Sequence, residues 1–253
     1  MNVLFSTPRN QTLMQFEPPL KQAILIKRYK RFLADVETSK GKVLTIHCPN
    51  TGSMKNCAEP GSRIWYSTSA NPKRKYPHTW QFIEINKAER VGINTGIANT
   101  LVNEAMEQNI INELLGYELI QAEVAYGEQK SRVDFLLQIP ENQFQADCYV
   151  EVKNVSLGVG NGLGLFPDAV TIRGQKHLQE LIHMCEKGYR SVLFFCVQHS
   201  HIHTVSPADE IDPRYGELLR EAATKGVEIL AYGTEFNPQK SRVKLIKKLA
   251  VKL

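Results

Sequence analysis

The residues best suited to chemistry lie in two apolar runs, Arg132-Val-Asp134-Phe-Leu-Leu137 and Cys148-Tyr-Val-Glu151-Val-Lys153. Side chains alternate along a β-strand, so Glu151 and Lys153 share one face while Val150 and Val152 enter the other. If the runs pair antiparallel about a loop centred between Asn142 and Gln143, opposing residue numbers sum to 285. Asp134 then stands opposite Glu151, at roughly 5 Å between Cβ atoms. Two carboxylates that close repel unless a cation sits between them. Mg²⁺ or Mn²⁺ meets that need, since such an ion takes one or two carboxylates, keeps several waters and accepts phosphate oxygens. Lys153, one pleat along, is placed to orient an attacking water and to offset charge developing on a phosphate. The chemistry implied is metal-assisted phosphodiester hydrolysis. A bare Glu-x-Lys arises about once by chance in a chain of this size, so the weight rests on the preceding Asp and the apolar flanks. The plainer alternative is a surface hairpin with a cross-strand Glu–Lys pair.

Three further groups attach to this centre. Gln175 starts the apolar face of a helix and is expected to point toward the sheet with Lys176 beside it, unless the two form a capping or surface polar pair. An acid of the preceding helix, Glu104 or Glu113, is available to a cation, and helical spacing does not choose between them. Leu157-Gly-Val-Gly-Asn-Gly-Leu-Gly-Leu165 misses the G-x-G-x-x-G spacing of a dinucleotide loop and reads as a mobile lid or linker beside the carboxylates. His199, His201 and His203 share a face if extended, which suits a three-histidine zinc site. With no acidic partner in the neighbouring sequence, an exposed strand end is the plainer reading.

The elements that position these residues fall into two textures. Before residue 85, β segments are expected at Ala23–Val36, Lys42–Cys48, Arg63–Ser67 and Thr79–Ile85, separated by Ser39-Lys-Gly, Pro49-Asn-Thr-Gly and Glu59-Pro-Gly turns. Such short strands suggest a small closed barrel of oligonucleotide-binding (OB) type. After Arg90 the pattern becomes α/β. A helix over 99–115 closed by Gly116 is followed by strands at 122–126, 131–137 and 148–152. A helix over Thr171–Lys187, a strand at 191–197, a helix over Asp212–Lys225 and a strand at 227–232 complete a mixed sheet. The expected domains are 1–85 and 86–253.

Charge divides along the same line. The net +5 is uninformative as a total, but residues 1–90 hold 15 Lys/Arg against 6 Asp/Glu, and residues 91–239 hold 10 against 20. Six of the basic residues lie in the last fourteen positions with no acid among them. In the basic front, Lys27, Arg28, Lys30 and Arg31 alternate along a strand, with Arg28 and Lys30 on one face. Lys73, Arg74, Lys75 and Tyr76 sit in a loop before Trp80, bases beside aromatics, as suits phosphate neutralisation and packing on sugars or bases. DNA gripped without sequence preference is the expected partner. RNA, or a purely interaction role, suits the same surface. No window approaches the ~18–20 apolar residues of a membrane span. The first residues lack signal-peptide character, and five scattered cysteines without C-x-x-C fit reduced thiols. A cytoplasmic protein is expected.

His47-Cys-Pro-Asn-Thr-Gly-Ser-Met54, Lys73-Arg-Lys-Tyr-Pro-His-Thr-Trp80, Ser131-Arg-Val-Asp-Phe135, Cys148-Tyr-Val-Glu-Val-Lys153, Phe166-Pro-Asp-Ala-Val-Thr171 and Arg173-Gly-Gln-Lys-His-Leu178 occur in this order. Together they resemble the sugar fermentation stimulation protein A family. The resemblance implies an N-terminal OB-like barrel and a C-terminal α/β domain like the PD-(D/E)XK nucleases. It implies sequence-nonspecific DNA binding and a regulatory role in maltose utilisation. By the nuclease pattern, the metal carboxylates fall on Asp134 and Glu151, the lysine on Lys153 and the first-helix acid on Glu104, leaving Gln175 as the polar residue of the second helix. An active Mg²⁺- or Mn²⁺-dependent nuclease is the alternative function. The glycine-rich stretch at 158–164 departs from the family pattern.

Overall fold

The computed structural model describes residues 14–86, 88–127, 131–139 and 146–253. The expected hairpin loop about Asn142 and Gln143 lies outside the described residues. Strands β1 (Lys21–Tyr29), β2 (Leu33–Thr38), β3 (Val43–His47), β4 (Arg63–Thr68), β5 (His78–Ile85) and β6 (Glu89–Gly92) form one sheet in the order β3-β2-β1-β4-β5-β6. A His47–Thr79 pairing joins β3 to β5 and closes five of the strands into the expected barrel. Alternation fills its interior with Leu25, Val36, Ile46, Ile64, Trp80 and Ile83. The expected single segment Ala23–Val36 is broken by a turn at Lys30 and Arg31, both at positive φ (50° and 64°). Neither residue carries the Gly or Asn signature of such a turn. The barrel sheet also runs past residue 85, to Gly92.

The remaining chain gives α1 (Ala98–Glu107), β7 (Leu119–Tyr126), β8 (Ser131–Gln138), β9 (Cys148–Val155), β10 (Leu157–Gly158) and β11 (Leu163–Phe166). Then come α2 (Ile172–Glu186), β12 (Arg190–Val197), β13 (Thr204–Pro207), α3 (Pro213–Thr224), β14 (Glu228–Asn237), β15 (Arg242–Lys248) and β16 (Ala250–Val251). The main sheet runs β15-β14-β12-β9-β8-β7, with β9, β12 and β14 parallel and the rest antiparallel. One face carries α1 and the other α2 and α3, so β12, covered on both sides, is apolar from Val192 to Val197. Both α2 and α3 start on side-chain caps, Thr171 Oγ1 accepting from Gly174 N and Asp212 Oδ1 from Tyr215 N (both 3.0 Å). The expected helix over 99–115 ends early. Asn109 at φ 58° turns the chain, and Ile110 N donates to Ala105 O (2.9 Å) in a Schellman closure.

The glycine-rich stretch, expected as a lid or linker, is the hairpin β10–β11, part of a second sheet in the order β10-β11-β13-β16. Its glycines answer close packing, because a Cβ on Gly158 would lie 2.7 Å from His199 Nε2 and one on Gly164 2.7 Å from Ile202 Cδ1. The basic tail forms edge strand β15, where Lys248 pairs with Glu113 (2.7 Å) and Lys244 with Glu235 (3.7 Å).

The two domains share a core. Trp65 and Phe82 point outward from the barrel into the cluster built by α1 and the main sheet, where Phe82 meets Phe16 and Phe236 edge-on at centroid distances of 5.7 and 5.1 Å. Asn56 Nδ2 donates to Gly158 O (3.1 Å), a second tie across the junction.

Candidate metal centre

The pairs Phe135–Val150, Leu136–Tyr149 and Leu137–Cys148 all have numbers summing to 285, the register expected from the loop arithmetic. The ladder stops there. Asp134 Oδ2 accepts the backbone N–H of Val152 (2.7 Å), so a carboxylate replaces the next backbone acceptor and β8 parts from β9 at Asp134. Asn99 of α1 donates to its other oxygen (2.7 Å). Into the same opening β9 projects Glu151 and Lys153, Nζ to Oε1 2.6 Å, while Val150 and Val152 pack toward α1 as alternation requires.

Helix α2 contributes His177, a residue the sequence reading passed over. Its Nε2 accepts from Arg173 Nε (3.3 Å), so the proton resides on Nδ1 and is donated to Glu151 Oε1. Nothing in the helical wheel singles out His177. Its one local signal is Arg173 four residues earlier, on the same side of the helix. Glu151 is 2% exposed, and its Oε2 has no hydrogen-bond partner among the described residues. The Tyr126 and Tyr215 hydroxyls are buried and equally without partners. Both tyrosines lie close enough to Glu151 for its charge to raise their pKa values, after burial, which is the larger cause.

Environment drives the two acids apart. Burial and then the Glu151 charge raise the Asp134 pKa, against hydrogen bonds from Val152 and Asn99. Burial alone would raise Glu151 too, but the His177 hydrogen bond and the Lys153 ammonium outweigh it and the net direction is down. Glu151 is therefore the ionised member, and Asp134 takes a proton more readily.

These residues fit a hard divalent cation. Glu151 Oε2 is a buried acceptor with no partner, and each Asp134 oxygen keeps a lone pair beyond the one hydrogen bond it accepts. Among the described residues no three His, Cys, Asp or Glu side chains converge as a metal site. A cation here would keep several waters, which suits Mg²⁺ or Mn²⁺ and not a closed zinc site.

Two other expected members stand elsewhere. Glu104 is buried on another face of α1 from Asn99, where Met14 backbone, Glu107 and Arg242 are its neighbours, and burial raises its pKa. Gln175 donates to both oxygens of Asp212 (2.9 and 3.1 Å), tying α2 to the cap of α3. The three histidines line a cleft of about 510 Å³ with Glu89. There His199 Nδ1 accepts from His201 N (3.2 Å), and burial lowers the His199 pKa to about 4.

The basic front is also redistributed. Arg28 turns inward, one Nη2 donating to Arg31 O (2.8 Å), Asn50 O (3.0 Å) and Gly52 O (3.0 Å), so it staples the Asn50–Ser53 loop. Trp80 is fully buried with Nε1 on Phe82 O (2.9 Å), and cannot stack on a base. Lys27 pairs with Asp35 (3.7 Å). Lys30, Arg31, Lys73, Arg74 and Lys75 remain exposed, with half-buried Tyr76 beneath Lys75 (5.6 Å). They gather at one end of the barrel, since Leu33 pairs with His47 and His47 with Thr79, and burial followed by the Arg74 charge lowers the His47 pKa. At that end Ser53 N and Oγ donate to Asp168 Oδ2 (3.0 and 3.2 Å), docking the barrel loop on the segment that leads into α2.

An OB-type barrel joined to a mixed α/β sheet is thus the class this fold defines. Family models agree: residues 26–93 match the sugar fermentation stimulation protein N-terminal OB domain and residues 96–240 the sugar fermentation stimulation protein RE domain. A sugar fermentation stimulation protein homolog of Shewanella frigidimarina is 55% identical over 230 residues, 91% of this chain and 97% of its own. One from Shewanella baltica is 54% identical over 225 residues, 89% and 94% of the respective chains. The chain belongs to the sugar fermentation stimulation protein family. Among solved structures, that of the Pyrococcus furiosus protein SfsA in complex with Ca²⁺ superposes with a TM-score of 0.83 at 25% identity, covering 96% of this chain and all of that one. No helix among the described residues is long and apolar enough to cross a membrane.

Proposed function

We propose that this protein binds DNA without sequence preference through the basic end of its barrel and hydrolyses phosphodiester bonds at Asp134, Glu151 and Lys153 with Mg²⁺ or Mn²⁺. The observation that carries the reading is Glu151. It is buried and ionised, one oxygen is held by His177 and Lys153, and the other has no partner. A buried acceptor in that state costs stability unless a ligand satisfies it. The relative solved with Ca²⁺ supports an oxygen-seeking cation, the class to which Mg²⁺ also belongs.

When bound, the cation supplies Lewis acidity toward a phosphate oxygen and makes water a better nucleophile. Glu151 and Asp134 hold the site open at the parting of β8 and β9. The Lys153 ammonium, fixed by Glu151, faces the opening and offsets negative charge building on the phosphate. His177 keeps Glu151 in one orientation, and Asn99 does the same for Asp134. Exposed lysines and arginines at the barrel end supply the phosphate contacts that hold the strand. DNA binding of this kind would also serve a regulatory role in sugar, including maltose, utilisation.

A second reading, a DNA-binding protein whose nuclease-like domain is only a scaffold, is favoured by one observation. Both Asp134 oxygens already accept hydrogen bonds. Circular and linear DNA incubated with and without Mg²⁺ or Mn²⁺ separates the two. The wild type should cleave with metal only, and Asp134→Asn or Lys153→Ala should slow cleavage by roughly 10²-fold or more. Cleavage that survives both substitutions refutes the assignment of the site. No cleavage with either metal leaves the scaffold reading.

A further inference from the structure

Val170 and Ile172 are 64% and 72% exposed, more than any other large apolar side chain described. Their backbone is nevertheless firmly held. Upstream, Asp168 is bound to Ser53, and Ala208 N donates to Phe166 O (2.8 Å). Downstream, Thr171 N donates to Asp212 Oδ2 (2.9 Å) while its hydroxyl caps α2. Phe166, at the base, packs on Phe195 and Tyr215 with centroids 5.6 and 5.2 Å away. Two aliphatic side chains thus protrude from a braced segment.

The next residue ties this rim to the metal centre. Arg173 is exposed, and its Nε is spent on His177, which holds Glu151. No partner for its two Nη groups is found among the described residues, so they remain for an anion a short chain of hydrogen bonds away from the carboxylates. Lys153 and Arg173 place two cationic side chains beside the two carboxyl groups, and a bound divalent cation leaves the cluster attractive to a phosphodiester.

We propose that residues 170–173 form a wedge that grips nucleic acid beside the metal centre, Arg173 taking a backbone phosphate while Val170 and Ile172 press into an opened base step. The inference rests on the nucleic-acid reading above. Of the chemical groups on a polynucleotide, only base faces and sugars offer apolar surface to such side chains, and inserted aliphatic residues are a known means of unstacking a step. The positive neighbour fits a polyanion and not an apolar protein surface. The wedge lies outside the basic front, on the domain whose net charge is negative.

The test uses the full-length protein in EDTA with a short duplex carrying 2-aminopurine at several positions, so that binding and unstacking are read separately from cleavage. The wild type should bind and raise 2-aminopurine fluorescence several-fold. Val170→Ser with Ile172→Ser should abolish the rise while affinity changes by less than about tenfold. Arg173→Ala should lower the slope of log affinity against log salt by about 0.9, the signature of one lost phosphate contact. Circular dichroism of each variant confirms the fold, and exposed positions make loss of folding an unneeded explanation. Wild-type binding without a fluorescence rise, a rise that persists in the double serine variant, or an unchanged slope in Arg173→Ala overturns the wedge and leaves DNA binding standing; a protein partner would then be the occupant to seek. No binding by the wild type refutes the nucleic-acid reading and the wedge with it.

Discussion

Replacing Lys153 by Met probes the electrostatics of the centre without opening a cavity. Lys153 Nζ lies 2.6 Å from Glu151 Oε1, with the two side chains 12% and 3% exposed, so solvent screens the pair little. Removing one partner of such a pair leaves an uncompensated buried charge and costs about 3–5 kcal/mol. His177 keeps its hydrogen bond to Glu151 Oε1 but does not replace the ammonium. The sign of the pH dependence then follows. In the wild type the Glu151 pKa is depressed, so its contribution to stability is present above the unfolded value of about 4.3 and is lost as pH falls through the folded value. In the variant the His177 hydrogen bond still opposes burial but the Lys153 ammonium is gone, so the folded pKa moves up and the stability that Glu151 contributes above the unfolded value shrinks. Asp134 shifts the same way, because the Lys153 ammonium also lowers its pKa, and this adds to the loss at the higher pH. Urea unfolding in EDTA should give the full penalty near about pH 7.5 and under roughly 1.5 kcal/mol near about pH 4.5. Millimolar Mn²⁺ should recover part of the loss at the higher pH, as a cation takes the place of the ammonium. An equal penalty at both pH values would show that Lys153 acts through packing, and the electrostatic account would fail.

Other substitutions separate grip from scaffold. Arg28→Ala removes the donor to three carbonyls and should cost about 1.5–3 kcal/mol with the salt slope of DNA binding unchanged. Lys73→Ala with Lys75→Ala should do the reverse, leaving stability within about 0.5 kcal/mol and lowering the slope by about 0.9 per contact, as a salt titration of affinity would read. Asp212→Ala deprives Tyr215 N, Thr171 N and Gln175 of their acceptor and should cost at least about 2 kcal/mol in chemical denaturation. Gly158→Ala, whose Cβ would meet His199 Nε2 at 2.7 Å, should cost about 1–3 kcal/mol by the same measure.

Much of the centre was legible because it obeys short-range rules. Alternation put Glu151 and Lys153 on one face, and loop arithmetic gave the register that brings Asp134 to them. The spans expected for α2 and α3 agree with the helices to within a residue at each end. What stayed hidden depends on tertiary placement. His177 and Gln175 lie on one helix only two residues apart, and which of them reaches the carboxylate depends on how α2 sits on the sheet. Arg28 had the composition of a phosphate ligand but serves a loop whose carbonyls come from residues 22 and 24 positions away. Glycine alternation at 158–164 read as freedom because the side chains that fill the space above it, His199 and Ile202, come from a distant part of the chain. The Lys30–Arg31 turn was missed because both residues adopt positive φ without the usual residue types.

The central claim is that Asp134 and Glu151 hold a divalent cation. Titration of the full-length protein with Mn²⁺, followed by calorimetry or by the loss of the free-ion paramagnetic signal, tests it without reference to any substrate. The account predicts one site in the wild type, abolished in Glu151→Ala with the circular dichroism spectrum unchanged and weakened at least about tenfold in Asp134→Asn. Undiminished Mn²⁺ binding in Glu151→Ala, or none in the wild type at millimolar metal, would contradict it.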